Sequence, residues 1–146
     1  MPPITLLVKP ASSLCNMACA YCFYADVSEH RLSRSFGVMQ KDTLEALIRR
    51  AFQFADGFVS FAFQGGEPTL AGLPFFQTVV ELERKYNARG LRVQNALQTN
   101  GLPLDDAFCA FLAQNGFLTG LSMDGTEDIH DALRKDARLQ GTYARV

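Results

Sequence analysis

The chain has 146 residues, 48% of them hydrophobic and 20% charged, with a net charge of −1. That is long enough for one domain with a real core, and the near-neutral charge gives no electrostatic pull toward nucleic acid or an anionic membrane surface. No apolar run approaches the roughly 20 residues that span a bilayer, and there is no low-complexity tract or Gly/Ser linker.

Ile4 to Val8 is a short apolar run ended by Lys9-Pro10, and it reads as the first strand. A loop rich in cysteine follows. Gln40 to Ala55 reads as a helix, because Leu44, Leu47, Ile48, Ala51 and Phe52 share one face of a 3.6-residue period. Asp42 is expected to cap its start with Glu45 three residues on, and Gly57 follows its end. Phe58 to Phe63 is the second strand, apolar on both faces as a buried parallel strand should be. Pro74 to about Ala88 reads as a helix, with proline in its first turn and Gly90 after its last. Leu91 to Leu97 is the third strand. Asp105 to Asn115 is a helix with Leu104, Phe108, Phe111 and Leu112 on one side, and Cys109 within it is expected to be a buried small hydrophobe. Phe117 to Met123 is the fourth strand, and Thr126 to about Leu133 begins another helix.

Strands alternating with amphipathic helices make an α/β parallel sheet with right-handed crossovers. Polar, glycine-rich segments follow the later strands: Gln64-Gly65-Gly66-Glu67, Gln98-Thr99-Asn100-Gly101 and Ser122-Met123-Asp124-Gly125. The carboxyl ends of parallel strands are where such folds build sites. The cysteine loop falls at the same edge. A four-stranded half barrel would leave an open edge and an apolar face. The expectation is therefore a piece of a longer protein or a half that needs a partner, with a compact four-stranded domain as the alternative.

Cys15, Cys19 and Cys22 carry most of the chemical information, in a CxxxCxxC spacing directly after the first strand. Three thiolates on one loop can hold three irons of a [4Fe–4S] cube and leave the fourth iron open for a substrate or cofactor. A Cys₃His zinc site with His30 is the rival, since zinc accepts that ligand set. Zinc sites more often show paired cysteine halves, and His30 sits in a charged segment. The start, Met1-Pro2-Pro3-Ile4, lacks a basic segment followed by a long apolar stretch. A cytoplasmic setting is expected, where thiols stay reduced and clustered cysteines point to metals or catalysis.

The cysteine triplet, Gly65-Gly66-Glu67-Pro68 after the second strand and Ser122 after the fourth together resemble the radical S-adenosylmethionine (SAM) superfamily. Four stretches narrow the resemblance: KPASSLCNMACAYCFY (9–24), FAFQGGEPTLAG (61–72), LQTNG (97–101) and LSMDG with IHDALRKD (121–136). They are similar to anaerobic sulfatase-maturating enzymes, and the likeness covers nearly the whole chain. Thr126 departs from the proline that family often has after Asp-Gly, which should alter a turn and not chemistry.

The resemblance implies the N-terminal portion of a partial TIM-type radical SAM barrel, about four βα units, filling residues 1–146. It implies that Cys15, Cys19 and Cys22 hold the cluster and that SAM chelates the open iron, to be cleaved reductively to a 5′-deoxyadenosyl radical. Gly65 and Gly66 would let the backbone approach the methionine amino group, since a Cβ would block it; an ordinary turn explains them otherwise. Tyr21 resembles the aromatic residue beside the adenine, or it packs under the loop. Ser122 would bond the ribose or carboxylate. Arg134 would pair with the carboxylate, a contact suited to a guanidinium fork. His130 and Asp131 are expected to be structural. Tyr24, Gln64 and Gln98 would face the substrate peptide, or form an amide network across the strand ends.

The implied reaction oxidises a Cys or Ser of a sulfatase polypeptide to Cα-formylglycine. The implied electron donor is a flavodoxin or ferredoxin, with no nucleic acid or membrane partner. The family's catalytic base is an aspartate of the second barrel half, followed by a cysteine-rich domain with two auxiliary [4Fe–4S] clusters. No residue of this chain matches that base, Asp124 included, and this portion alone is expected to be inactive. The alternatives are a radical SAM maturase of another ribosomal peptide and a zinc-binding interaction module.

Overall fold

The structure is a computed structural model that describes residues 2–146. Four parallel strands, β1 (Ile4–Val8), β2 (Phe58–Phe63), β3 (Arg92–Thr99) and β4 (Leu118–Leu121), lie side by side in chain order. The connections carry helices α1 (Phe23–Glu29), α2 (Lys41–Phe54), α3 (Leu73–Tyr86) and α4 (Asp106–Gln114), and α5 (Glu127–Leu133) follows β4. A 3₁₀ turn, Pro68–Ala71, leads into α3. Sequential strand order with a helix in each crossover is the winding of a βα barrel wall. Among the described residues no helix is long and apolar enough to cross a membrane.

Alternation along the strands builds one covered face. Val59, Phe61 and Phe63 of β2 and Leu97 of β3 point into a core closed by Leu44, Ile48 and Phe52 of α2, Phe76 and Val79 of α3, and Phe108 and Leu112 of α4. Phe63 anchors an aromatic cluster, with ring centroids 5.3 Å from Phe76 and 6.3 Å from Phe117. Such pairs add about 0.5–1.5 kcal/mol each beyond area burial. The opposite face is open. Leu7 and Leu118 stand 59% and 64% exposed there, with the small residues Ala62 and Ala96 between them. The second face of β2 carries Phe58, Ser60 and Ala62, so the expected apolar character on both faces is broken only by Ser60.

The strands and helices fall close to their expected places, with differences that have local causes. β3 runs from Arg92 to Thr99, and β4 covers only Leu118–Leu121, with Phe117 before it buried in the core. Asp42 does not cap α2. Gln40 holds the cap position without a side-chain bond, and Asp42 sits in the first turn. Glu45 is drawn instead across to α3, where Lys85 Nζ lies at 2.6 Å and the Tyr86 hydroxyl at 2.5 Å. Cys109 is exposed, not buried. One step along α4 from the inward-facing Phe108 turns it about 100° away, toward solvent. Helix α1 escapes a periodicity search because it buries none of its residues.

One buried polar pair lies under the sheet's covered face. Glu83 of α3, 6% exposed, accepts a 3.0 Å hydrogen bond from Asn95 Nδ2 of β3 through Oε2. Glu83 Oε1 and Asn95 Oδ1 are buried without partners. Burial pushes the Glu83 carboxyl up from 4.5 to about 7, with the Asn95 bond and Arg84 opposing. A proton on Glu83 Oε1 would turn one of these unpartnered acceptors into a donor and remove the buried charge. Between those two pH values the folded chain holds a proton that the unfolded chain releases, so stability falls as pH rises through the window. Glu83→Gln cannot ionise and carries a permanent donor. It should raise stability by up to about 3 kcal/mol at pH 8 and change it little near pH 4.5, given about 1.4 kcal/mol per pKa unit. Thermal unfolding at the two pH values checks this, and an equal effect at both would contradict it.

Candidate functional site

The carboxyl ends of all four strands open onto a cavity of about 260 Å³. Every residue that the resemblance assigned to the cluster, SAM or substrate lines it: Cys15, Cys19, Cys22, Tyr21, Tyr24, Gln64, Gly65, Gly66, Gln98, Ser122 and Arg134. Met17, Phe23, Glu67, Thr99 and Asn100 complete the wall.

The cysteine loop is held from two sides. On the β2 side, Glu67 N–H donates to Leu14 O at 2.7 Å. On the other side, Ala18 N–H and Ala20 N–H donate to Lys135 O and Leu133 O at 2.7 and 2.9 Å. All three cysteines are free thiols. Cys22 also caps α1, its sulfur accepting from Ala25 N–H at 3.4 Å, and Cys15 Sγ accepts from Met17 N–H at 3.4 Å. Burial pushes the Cys15 and Cys19 thiols up, and Arg134 partly offsets this at Cys19.

The glycines have distinct reasons. Both have positive φ, +95° at Gly65 and +55° at Gly66, a region that disfavours side chains. A Cβ on Gly66 would collide with the Leu14 carbonyl oxygen, and one on Gly65 would come 2.8 Å from the Lys9 side chain. Gly66 is therefore required by the cysteine loop's own backbone, a reason beyond the ligand approach or ordinary turn expected from the sequence. Lys9 lies 4.5 Å over the Tyr24 ring.

Tyr21 and Arg134 meet on one wall. Arg134 Nη1 donates to the Tyr21 hydroxyl at 2.9 Å, and that hydroxyl donates to Asp124 Oδ2 at 2.5 Å. Burial and then the Asp124 bond push the Tyr21 hydroxyl pKa up. Arg134 is 7% exposed and its Nε has no partner. Arg134 lines the cavity, and a guanidinium there fits an anionic ligand. Its backbone is fixed by a relay: Asp124 N–H donates to His130 Nδ1, so His130 Nε2–H donates to Thr142 Oγ1, which donates to Arg134 O at 2.9 Å. Asp131 Oδ1 accepts from Thr142 and Tyr143 N–H at 2.7 and 2.8 Å. His130 and Asp131 thus serve the frame.

The amides pair across elements. Gln64 Nε2 donates to the Tyr24 hydroxyl at 3.0 Å and Gln98 Nε2 to Ser122 Oγ at 2.8 Å. Gly120, the register partner of Gln98, leaves the room that the Gln98 carboxamide occupies.

Sequence reasoning named Glu67 and Asn100 within motifs but gave neither a role. Glu67, 1% exposed, receives hydrogen bonds from Thr69 N–H and hydroxyl, the Thr99 hydroxyl and Asn100 N–H, at 2.6 to 3.1 Å. Their signal was an acid and an amide directly after buried strands, where an unpaired polar group would be costly.

The donor set fits an iron–sulfur cube better than zinc. His30 is exposed, its Nδ1 lies 2.8 Å from Asp26 O, and it does not line the cavity. Among the described residues no three Cys, His, Asp or Glu side chains converge as ligands of one metal ion. A tetrahedral zinc needs that convergence, whereas a cube spreads its thiolates over different irons.

The family model described as the Radical SAM superfamily matches residues 10–146. A cysteine-type anaerobic sulfatase-maturating enzyme of Clostridium perfringens is 51% identical over 146 residues, 100% of this chain and 40% of that protein. A serine-type anaerobic sulfatase-maturating enzyme of Klebsiella aerogenes is 39% identical, over 97% of this chain and 35% of that protein. The solved structure of native anSMEcpe with bound AdoMet and Cp18Cys peptide superimposes with a TM-score of 0.90 at 49% identity, covering 99% of this chain and 38% of that one. The chain thus spans about 40% of the length of the C. perfringens protein.

Gly66→Ala should displace the cysteine loop and lower the iron retained after anaerobic reconstitution several-fold. Gly65→Ala, which meets only a bendable lysine side chain besides its backbone strain, should retain more. Iron analysis of the two variants decides; equal retention would contradict the assignment of Gly66 to the loop contact.

Proposed function

The chain belongs to the radical SAM superfamily, and from that premise we propose that it is the cofactor-binding part of an enzyme that oxidises a sulfatase cysteine or serine to Cα-formylglycine. The observation that carries this reading is one cavity lined by three free thiols and a guanidinium. Cys15, Cys19 and Cys22 would hold a [4Fe–4S] cluster. Bound together, the cluster and SAM supply a carbon-centred radical able to remove a hydrogen atom from an unactivated carbon.

The residues of this chain bind and orient. Arg134 would receive the SAM carboxylate on its guanidinium, its backbone held by the His130–Thr142 relay. The backbone carbonyls around Gly65 and Gly66 would accept from the methionine amino group, and the Tyr21 ring would flank the adenine. Ser122 would turn from Gln98 toward the ribose. Tyr24 and Gln64 would exchange their mutual hydrogen bond, and Gln98 its bond to Ser122, for the substrate backbone, which offers both donors and acceptors.

The complete protein, in this reading, adds the second barrel half with its aspartate base and a domain with auxiliary clusters. The open sheet face, with Leu7 and Leu118 exposed, supports a continuing barrel. A flavodoxin- or ferredoxin-type protein would deliver the electron in a reducing cytoplasm. Identity is higher to the cysteine-type relative, 51%, than to the serine-type, 39%, which favours a cysteine target.

The test is incubation of the full-length protein with SAM, a low-potential reductant and a peptide bearing a sulfatase target cysteine. An aldehyde at that position, found by mass spectrometry together with 5′-deoxyadenosine, supports the reading. Turnover of SAM without aldehyde on cysteine or serine peptides would refute it. Arg134→Leu should weaken SAM binding at least tenfold, as a lost charge-assisted hydrogen bond of about 1.5–3 kcal/mol implies. Equilibrium binding measures that loss.

A further inference from the structure

Asn100 stands one residue beyond the end of β3, and every polar group of it described here is engaged. Its N–H donates to Glu67 Oε2 at 2.7 Å and its Oδ1 accepts from Leu102 N–H at 3.0 Å. A backbone N–H can only donate, so this second bond fixes which end of the carboxamide is oxygen. The Nδ2 group therefore faces the cysteine loop. One N–H goes to Asn16 Oδ1 at 2.7 Å, and Cys15 Sγ lies 3.8 Å away for the other, a separation within reach for a bond to sulfur. Asn100 is 5% exposed, so few water positions compete for its carboxamide.

We propose that Asn100 is a positioning residue for the cluster: its carboxamide donates a hydrogen bond to the Cys15 sulfur and raises the reduction potential of the cluster which that sulfur holds. This rests on the cluster reading of the three cysteines. Reduction adds negative charge that spreads onto the ligand sulfurs, and a hydrogen-bond donor stabilises the reduced form more than the oxidised one. Hydrogen bonds to the sulfurs are among the factors that set such potentials. Glu67 holds Asn100 in place through the Asn100 backbone N–H, and its own charge reaches the Cys15 sulfur only through space. The strand end thereby fixes both the loop's position and the electronic setting of its first thiolate.

The experiment is a potentiometric EPR titration of the anaerobically reconstituted full-length protein, following the cluster whose signal responds to SAM. Asn100→Ala should lower its midpoint by about 59 mV, a tenfold change for one electron. Asn100→Asp, which replaces the donor by an anionic oxygen, should lower it further. Asn16→Ala keeps the donor and should leave the midpoint in place. Unchanged midpoints in cluster-loaded Asn100 variants would overturn the proposal while leaving the cluster reading intact. If those variants load no cluster, SAM-free Asn16→Ala protein labelled with ¹⁵N-asparagine decides. A ¹⁵N hyperfine coupling to the cluster supports Asn100 as donor, and its absence overturns it. Wild-type protein that binds no SAM-responsive cluster would overturn both readings.

Discussion

The buried carboxylate of Glu67 is the constraint on which the site depends. It sits at the strand edge, 1% exposed, where an unpaired charge would be strongly destabilising. Thr69, Thr99 and the Asn100 backbone surround it with donors, so burial fixes geometry instead of opposing it. Its carboxylate binds the end of β3 while its backbone N–H binds Leu14 of the cysteine loop. Remove that group and the two strand ends and the loop lose their shared reference.

The other flank is secured by a segment far along the chain. Residues 133–136 pair with the cysteine loop through Ala18 and Ala20, and the same segment carries Arg134. The cation and the thiols therefore share a frame: the relay from Asp124 through His130 and Thr142 ends on the Arg134 carbonyl. The aromatic core under the sheet sets the distance between these anchors, because close-packed interiors deform little. Rigidity at the loop and an exchangeable set of amides at Gln64 and Gln98 together suit a site that must hold one group firmly and admit another.

Much of this was legible in the residues. Apolar runs set between helical periodicities gave the order of strands and helices along the chain, and polar clusters at the strand ends marked the cavity that the cysteines, glycines, Ser122 and Arg134 line. Short-range patterns could not reveal what depends on distant partners. The collision that forces glycine at 66 is with Leu14, and Glu45 leaves its expected capping role for a lysine on another helix. The Glu83–Asn95 pair joins a helix to a strand, and neither residue looks buried when read alone. Helix α1 carries no apolar stripe, and Cys109 lies one step off the inward face of α4.

The most direct measurement is iron and sulfide content with EPR on the anaerobically reconstituted full-length protein, beside a variant with Cys15, Cys19 and Cys22 all changed to alanine. The account predicts that the variant holds about four fewer irons per chain, one cubane cluster, and loses the change in EPR signal that SAM produces in the parent. Equal iron and an unchanged response to SAM in the two proteins would contradict it, as would zinc in place of iron at those cysteines.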